Sequence, residues 1–80
     1  MNIEEKAAKF ILGNEFNSFP AKGSCEWIEK DAYGCNRWIC DGDTVAVRRP
    51  EDGAIALSRW STYGPTQRRI DEIKKLTGIE

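Results

Sequence analysis

The residues with the richest potential chemistry are three cysteines, Cys25, Cys35 and Cys40. Zinc sites built on cysteine usually space two ligands about two to four residues apart and often add histidine. Here nine and four residues separate the cysteines, and the chain has no histidine. Side-chain alternation along a strand also directs Cys35 away from the other two thiols. The pattern favours structural cysteines, and we expect no metal and no other cofactor.

Catalysis has little support in the sequence. A cysteine nucleophile needs a base, but the chain contains no histidine, and Asp41 beside Cys40 would disfavour a thiolate. Asp41 and Asp43 flank a glycine and are explained by turn chemistry. The glycines form no phosphate-binding loop, because Gly42, Gly53 and Gly78 each suit a turn or a helix end. We therefore expect no catalytic residue and no enzymatic activity.

Arginines interleaved with aromatic residues form the one suggestive set. All six arginines lie between Arg37 and Arg69, although the net charge of the chain is −1. Nucleic-acid proteins use arginine for phosphate contacts and aromatic rings for base stacking, but they are usually clearly basic. Nucleic-acid binding is therefore the alternative hypothesis, and it would use Arg48, Arg49, Arg59, Arg68 and Arg69.

The region from Cys25 to Arg59 must position these side chains, and it reads as four short antiparallel strands. Asp41-Gly42 indicates a two-residue hairpin turn, because both central residues of a type I′ turn need positive φ. That turn places Trp38 opposite Val45. A turn at Asp31-Ala32 would place Cys25 opposite Trp38, although Ala32 is a poor residue for such a turn.

The loop at residues 50–53 sets the register of the last strand. Read as a three-residue loop with a left-handed Gly53, it pairs Val47 with Leu57. A four-residue loop would instead put Ala56 opposite Val47, and we prefer the shorter loop because it turns Ile55 and Leu57 toward the core. The predicted core face is then Cys25, Trp27, Trp38, Cys40, Val45, Val47, Ile55 and Leu57.

A helix is predicted at each end of the chain. Asn2 and Glu5 resemble an N-cap with its reciprocal acid, and an apolar stripe follows through Phe10. In that helix Lys6 is predicted to face water. Pro65 suits the first turn of the second helix, and Gly78 suits its left-handed end. We predict one α+β domain over residues 1–80, of order α-β-β-β-β-α, with a four-stranded antiparallel meander covered by both helices on one face.

The sheet face without helices is then the natural surface for a partner. Arginine and aromatic residues are enriched in protein interfaces. That face is predicted to carry mixed side chains, including Glu26, Ile28, Ala46 and Arg48. The predicted partner-binding residues are Arg37, Ile39 and Arg48 on this face and Trp60 and Tyr63 in the loop before the last helix.

The segment from Thr44 to Arg49 and the segment Ser58-Arg59-Trp60-Ser61-Thr62-Tyr63-Gly64-Pro65-Thr66-Gln67-Arg68-Arg69-Ile70 resemble the ends of small bacteriophage accessory proteins. The resemblance covers roughly a third of the chain. Gly64-Pro65 departs from it, since a Thr-Thr pair is more usual there. Such proteins include anti-CRISPR inhibitors, which mostly bind a host effector complex and block its access to nucleic acid. The resemblance implies the same kind of partner for this chain.

The leading hypothesis is a non-enzymatic module that binds a protein, and the resemblance implies a host nucleoprotein effector complex as that partner. An odd number of cysteines fits a reducing compartment, so we expect a cytoplasmic location, in the host if the chain is phage-encoded. No apolar run approaches the length needed to span a membrane, and we expect no membrane partner.

Overall fold

The computed structural model describes residues 2–18, 26–59 and 61–79. Two helices flank one antiparallel sheet in which each strand pairs with the next along the chain. The α+β class and the order α-β-β-β-β-α are confirmed, and a two-residue strand is added at one edge. The elements are α1 (Ile3–Ile11), β1 (Asn17–Ser18), β2 (Glu26–Lys30), β3 (Asn36–Cys40), β4 (Asp43–Arg48), β5 (Ile55–Leu57) and α2 (Gly64–Thr77).

The helix ends follow the predicted capping chemistry. The Asn2 side chain accepts a hydrogen bond from the backbone N–H of Glu5 at 2.8 Å, which satisfies one of the free donors that begin α1. Gly78 adopts a left-handed φ of 74° and donates to Lys74 O at 2.8 Å, which ends α2. Neither described helix is long and apolar enough to cross a membrane.

Both helices pack on one face of the sheet, here called the covered face. Its middle row is apolar and consists of Ile28, Trp38, Ala46 and Leu57. Trp38 is fully buried, and the centroid of its ring lies 5.5 Å from that of Phe10 and 5.8 Å from that of Phe16. The rows on either side mix polar and apolar residues: Glu26, Cys40 and Asp43 at one end, and Lys30, Asn36, Arg48 and Ile55 at the other. The apolar core is therefore centred on the middle row of the sheet and is sealed by two helices.

The first hairpin differs from the predicted register. Trp38 lies opposite Ile28, so Ile28 is in the core and Trp27 points to the other face. The reason is the loop between β2 and β3. Asp31 accepts hydrogen bonds from the backbone N–H groups of residues 33 and 35, and Gly34 adopts a φ of 80°. The predicted partner of Trp38, Cys25, lies outside the described residues.

A β-bulge changes the second hairpin. The Asp41-Gly42 turn pairs Cys40 with Asp43 as predicted, but the register shifts between Trp38 and Ile39. Val45 is the extra residue, and Val45 and Ala46 are both fully buried. Beyond the bulge the parity of β4 is inverted. Val47 is therefore on the face away from the helices and Arg48 is on the covered face, which is the reverse of the prediction.

The last hairpin contains the four-residue loop that the prediction rejected. Arg49 N–H donates to Ala54 O at 2.9 Å, and Gly53 N–H donates to Arg49 O at 3.0 Å. Ala56 consequently lies opposite Val47. The extra loop residue compensates for the bulge, so that Ile55 and Leu57 pack against the core as predicted.

Candidate functional site

The face of the sheet that neither described helix covers is the candidate partner surface, here called the open face. Alternation and register assign it Trp27, Glu29, Arg37, Ile39, Thr44, Val47 and Ala56. Glu29 and Ala56 are exposed, while Trp27, Arg37 and Val47 are half-buried. Among these described residues Glu29 is acidic, Arg37 is basic, and most of the others are apolar.

Arg37 lies on this face as predicted. Its Nη1 donates to Thr44 Oγ1 at 3.5 Å, and its Nη2 is 3.9 Å from Asp31 Oδ2. Both contacts are long, and 38% of the Arg37 side chain is exposed, so the guanidinium remains available to a partner. Ile39 also lies on the open face but is only 7% exposed. The prediction that Ile39 is exposed on this face is therefore wrong.

Arg48 is not on the open face. Its Nε donates to Ile11 O at 3.0 Å, which satisfies a carbonyl at the end of α1 and places a cation at the negative end of the helix dipole. A Cβ built on Gly13 would lie 2.9 Å from one Nη, and one built on Gly53 would lie 3.0 Å from the other. Arg48 is thus packed against two glycines and joins α1 to the sheet.

The two predicted partner residues in the loop before α2 have different outcomes. Trp60 lies outside the described residues. Tyr63 is 41% exposed and immediately precedes α2, where its hydroxyl donates to Asp41 Oδ2 at 2.6 Å. This hydrogen bond raises the pKa of Tyr63 above its ordinary value. Tyr63 therefore lies at the β3–β4 turn, and the predicted partner residues do not form one patch.

The alternative nucleic-acid set is also dispersed. Arg48 is on the covered face and Arg69 binds a buried carboxylate, while Arg49 pairs with Asp52 at 2.8 Å. Arg59 and Arg68 are exposed. The five arginines therefore do not present a continuous track for a phosphate backbone.

A buried ion cluster around Glu26 was not predicted. The carboxylate of Glu26 accepts from Lys6 Nζ at 2.6 Å, from Arg69 Nε at 2.6 Å and Nη2 at 3.0 Å, and from Trp38 Nε1 at 2.7 Å. The side chains of Glu26, Lys6 and Arg69 are only 7%, 11% and 12% exposed. The cluster joins α1, β2, β3 and α2 through one side chain.

The electrostatics of this cluster favour the charged state. Burial acts to raise the pKa of Glu26, but hydrogen bonds from Arg69, Lys6 and Trp38 outweigh it and lower that pKa below its ordinary value of 4.5. The hydrogen bond to Glu26 in turn raises the pKa of Arg69. Glu26 is therefore ionised at neutral pH and has no proton to donate. Both of its oxygens accept hydrogen bonds from other side chains, so the cluster holds the surrounding helices and strands together.

One sequence signal pointed to this cluster. Lys6 lies between Ile3 and Phe10 at helical spacing, so it shares the apolar stripe of α1. The charge of Lys6 predicts that it faces water, but its side chain is buried. A lysine on an inward stripe indicates a buried acidic partner, since buried charges are usually paired.

The described thiols have no catalytic setting. Burial raises the pKa of Cys40 above its ordinary value of 9.0, and burial with the nearby Asp31 raises the pKa of Cys35 in the same direction. Both remain protonated at neutral pH and are poor nucleophiles. Within residues 2–18, 26–59 and 61–79, no group of three histidine, cysteine or acidic side chains is close enough to hold a metal ion.

Comparison with protein-family models, with curated proteins and with solved structures gives no match. The resemblance to bacteriophage accessory proteins therefore stays a prediction, and function must be inferred from the geometry of the chain itself.

Proposed function

We propose that this chain is a non-enzymatic module that binds a protein through the open face. The observation that carries the proposal is the presence of Trp27 and Val47, half-buried, on a sheet face that neither described helix covers. Arg37 is on β3, the strand that lies between the strands of Trp27 and Val47. Aromatic residues and arginine are enriched in the centres of protein interfaces, so this combination is typical of a contact surface.

The most specific form of the proposal is an inhibitor encoded by a bacteriophage that acts in the host cytoplasm on a host defence complex. Its support is the resemblance of two segments, residues 44–49 and 58–70, to small bacteriophage accessory proteins. The open face adds a physical route, since a bound sheet face blocks whatever surface of the complex it covers.

Affinity capture from a bacterial host lysate, followed by mass spectrometry, tests the proposal. The test variant is Ala56→Arg, which adds a long charged side chain to an exposed position on the open face. The matched control is Ala8→Arg, which makes the same change at an exposed position of α1. We expect a partner that wild type and Ala8→Arg capture and Ala56→Arg does not. Equal recovery by all three proteins would contradict binding through the open face.

The contribution of arginine is tested separately with the purified partner. Arg37→Ala should weaken binding by about tenfold, as expected for an interface arginine. Arg68→Ala is the matched control, because Arg68 is exposed on α2. In the alternative hypothesis the ligand is nucleic acid, and fluorescence anisotropy with short DNA and RNA would then show binding that weakens steeply with salt.

A further inference from the structure

A small pocket lies at the end of the covered face, beyond the end of α1. Lys30, Asn36 and Arg48 occupy neighbouring positions on three adjacent strands and form the last row of that face. With Gly13, Gly34 and Pro50 they line a pocket of about 140 Å³. A water molecule in the liquid has a volume of about 30 Å³, so the pocket has room for a small polyatomic group.

Arg48 presents unused donors in this pocket. Its Nε is bound to Ile11 O, whereas neither Nη atom has a hydrogen-bond acceptor among the described residues. The close packing against Gly13 and Gly53 restricts movement of the guanidinium. Asn36 Nδ2 donates to Gly13 O at 3.3 Å and holds the end of α1 over the same space. The donors of Arg48 are thus fixed before any ligand arrives, which lowers the entropy cost of binding.

The charge of the pocket is unbalanced. Lys30 and Arg48 contribute two positive charges against the partial negative charge at the end of α1, and the described residues that line the pocket include no acidic side chain. Lys30 forms an ion pair with Glu15, with 3.8 Å between Nζ and Oε1. Their side chains are 65% and 53% exposed, so this pair is weak and readily exchanged.

We propose that this pocket binds a phosphate group, with Lys30 Nζ and the Nη atoms of Arg48 as donors. A phosphate monoester carries about −1.5 to −2 charges at pH 7 and so matches both cations, while a carboxylate would leave one of them unbalanced. Arginine and lysine are the usual phosphate ligands, and their charge-assisted hydrogen bonds are the strong ones. The site is separate from the open face and does not depend on the proposed protein binding.

Titration of ¹⁵N-labelled protein with inorganic phosphate at constant ionic strength tests the proposal. We expect saturable shifts of the backbone amide signals of Gly13, Gly34 and Asn36. Lys30→Ala should weaken the affinity about tenfold through loss of one charge-assisted hydrogen bond, without affecting the fold, because Lys30 is mostly exposed. Lys75→Ala, the same change at an exposed position of α2, is the control and should bind phosphate like wild type.

Glu15→Gln tests the site in the opposite direction, through a gain in phosphate affinity. It frees Lys30 and removes a repelling carboxylate, so phosphate affinity should rise about two- to threefold. Linear, non-saturating shifts in wild type, or equal weakening by Lys30→Ala and Lys75→Ala, would overturn the proposal. Acetate binding as tight as phosphate binding would overturn the preference for phosphate.

Two further titrations identify the source of the phosphate. A phosphoserine peptide and a nucleoside 5′-monophosphate each carry the same group on a different body. The ligand that binds more tightly, measured from the same amide signals, identifies the source of the phosphate group. If neither ligand shifts those signals, a role for the pocket beyond the binding of free phosphate is overturned.

Discussion

Glu26 shows how one side chain can determine the packing of a small domain. It lies on the sheet face that also carries Trp38, and its carboxylate accepts from two cations and an indole. Transfer of such charges out of water is costly, and the cost is offset only when every partner is present. The cluster is therefore sensitive to loss of any one member, although it adds little compared with an apolar replacement of the whole set.

We predict that Glu26→Gln lowers the free energy of unfolding by about 3–5 kcal/mol, because Lys6 and Arg69 then remain buried without a counter-charge. Urea denaturation measures the loss. Glu29→Gln is the control, since Glu29 is an exposed residue of the same strand, and its effect should stay within about 0.5 kcal/mol of wild type. Equal stability of the two variants would show that the ion cluster does not form in solution.

At the scale of the elements, the sequence predicted features with a local cause. The Asp41-Gly42 turn, the Asn2 cap and the Gly78 end each depend on a few adjacent residues, and all three are present. The loop at Asp31 and Gly34 was missed although its signal is local. An acid at the first position and a glycine at the fourth are typical of a type I turn.

The β-bulge had no such local cause. Val45, Ala46 and Val47 are consecutive apolar residues, and strict alternation places Val45 and Val47 on one face and Ala46 on the other. Nothing in these three residues indicates that a bulge will bury Val45 and Ala46 together. The choice depends on Arg48, which reaches the end of α1 only if it faces the helices. That contact joins residues far apart in the chain, so the candidate site was predicted only in part: Arg37 was placed correctly and Arg48 was not.

The left-handed conformation of Gly53 in the loop between β4 and β5 can be tested by substitution. Gly53 has a φ of 70°, and a Cβ there would lie 3.0 Å from an Nη of Arg48. Gly53→Ala should therefore cost about 1–2 kcal/mol of stability through left-handed strain. Gly64→Ala is the matched control, because nothing lies within 4 Å of its added Cβ and Gly64 begins α2.

Thermal and urea unfolding measure both glycine variants. Gly64→Ala should leave the stability unchanged or raise it by up to about 1 kcal/mol, since alanine is the better helix former. A Gly53→Ala variant as stable as Gly64→Ala would contradict the left-handed conformation of Gly53 and its close approach to Arg48.

At the scale of the whole molecule, the helices from the two ends of the chain contact each other and share one acidic partner. On the covered face, the fully apolar row lies between two rows that mix polar and apolar side chains. Neither helix can therefore detach from the sheet without exposing that row to water or leaving a buried charge unpaired. Unfolding of α1, α2 and the sheet is expected to be one cooperative transition.

The pH dependence of stability follows from Glu26. Its pKa in the folded chain lies below 4.5, so its contribution is fully present above the unfolded pKa and is lost as the pH falls through the folded one. Between pH 7 and pH 3, the unfolding free energy of wild type should fall more than that of Glu26→Gln. Asp52, whose pKa is also lowered, chiefly by the backbone N–H of Ala54, contributes equally to both proteins.

Urea unfolding at each pH, followed by far-ultraviolet circular dichroism and tryptophan fluorescence, measures this difference. The two signals should change together at every pH. Parallel pH curves for wild type and Glu26→Gln would contradict the role of Glu26, and separation of the two signals would show that a helix unfolds before the sheet.

The separation of 43 residues between Glu26 and Arg69 also has a consequence for synthesis. On the ribosome, Lys6 and Glu26 emerge well before the helix that carries Arg69. A nascent chain therefore exposes the apolar row of its sheet until translation has passed α2. Chaperones that recognise exposed apolar segments would meet this chain during elongation and release it only after α2 has docked.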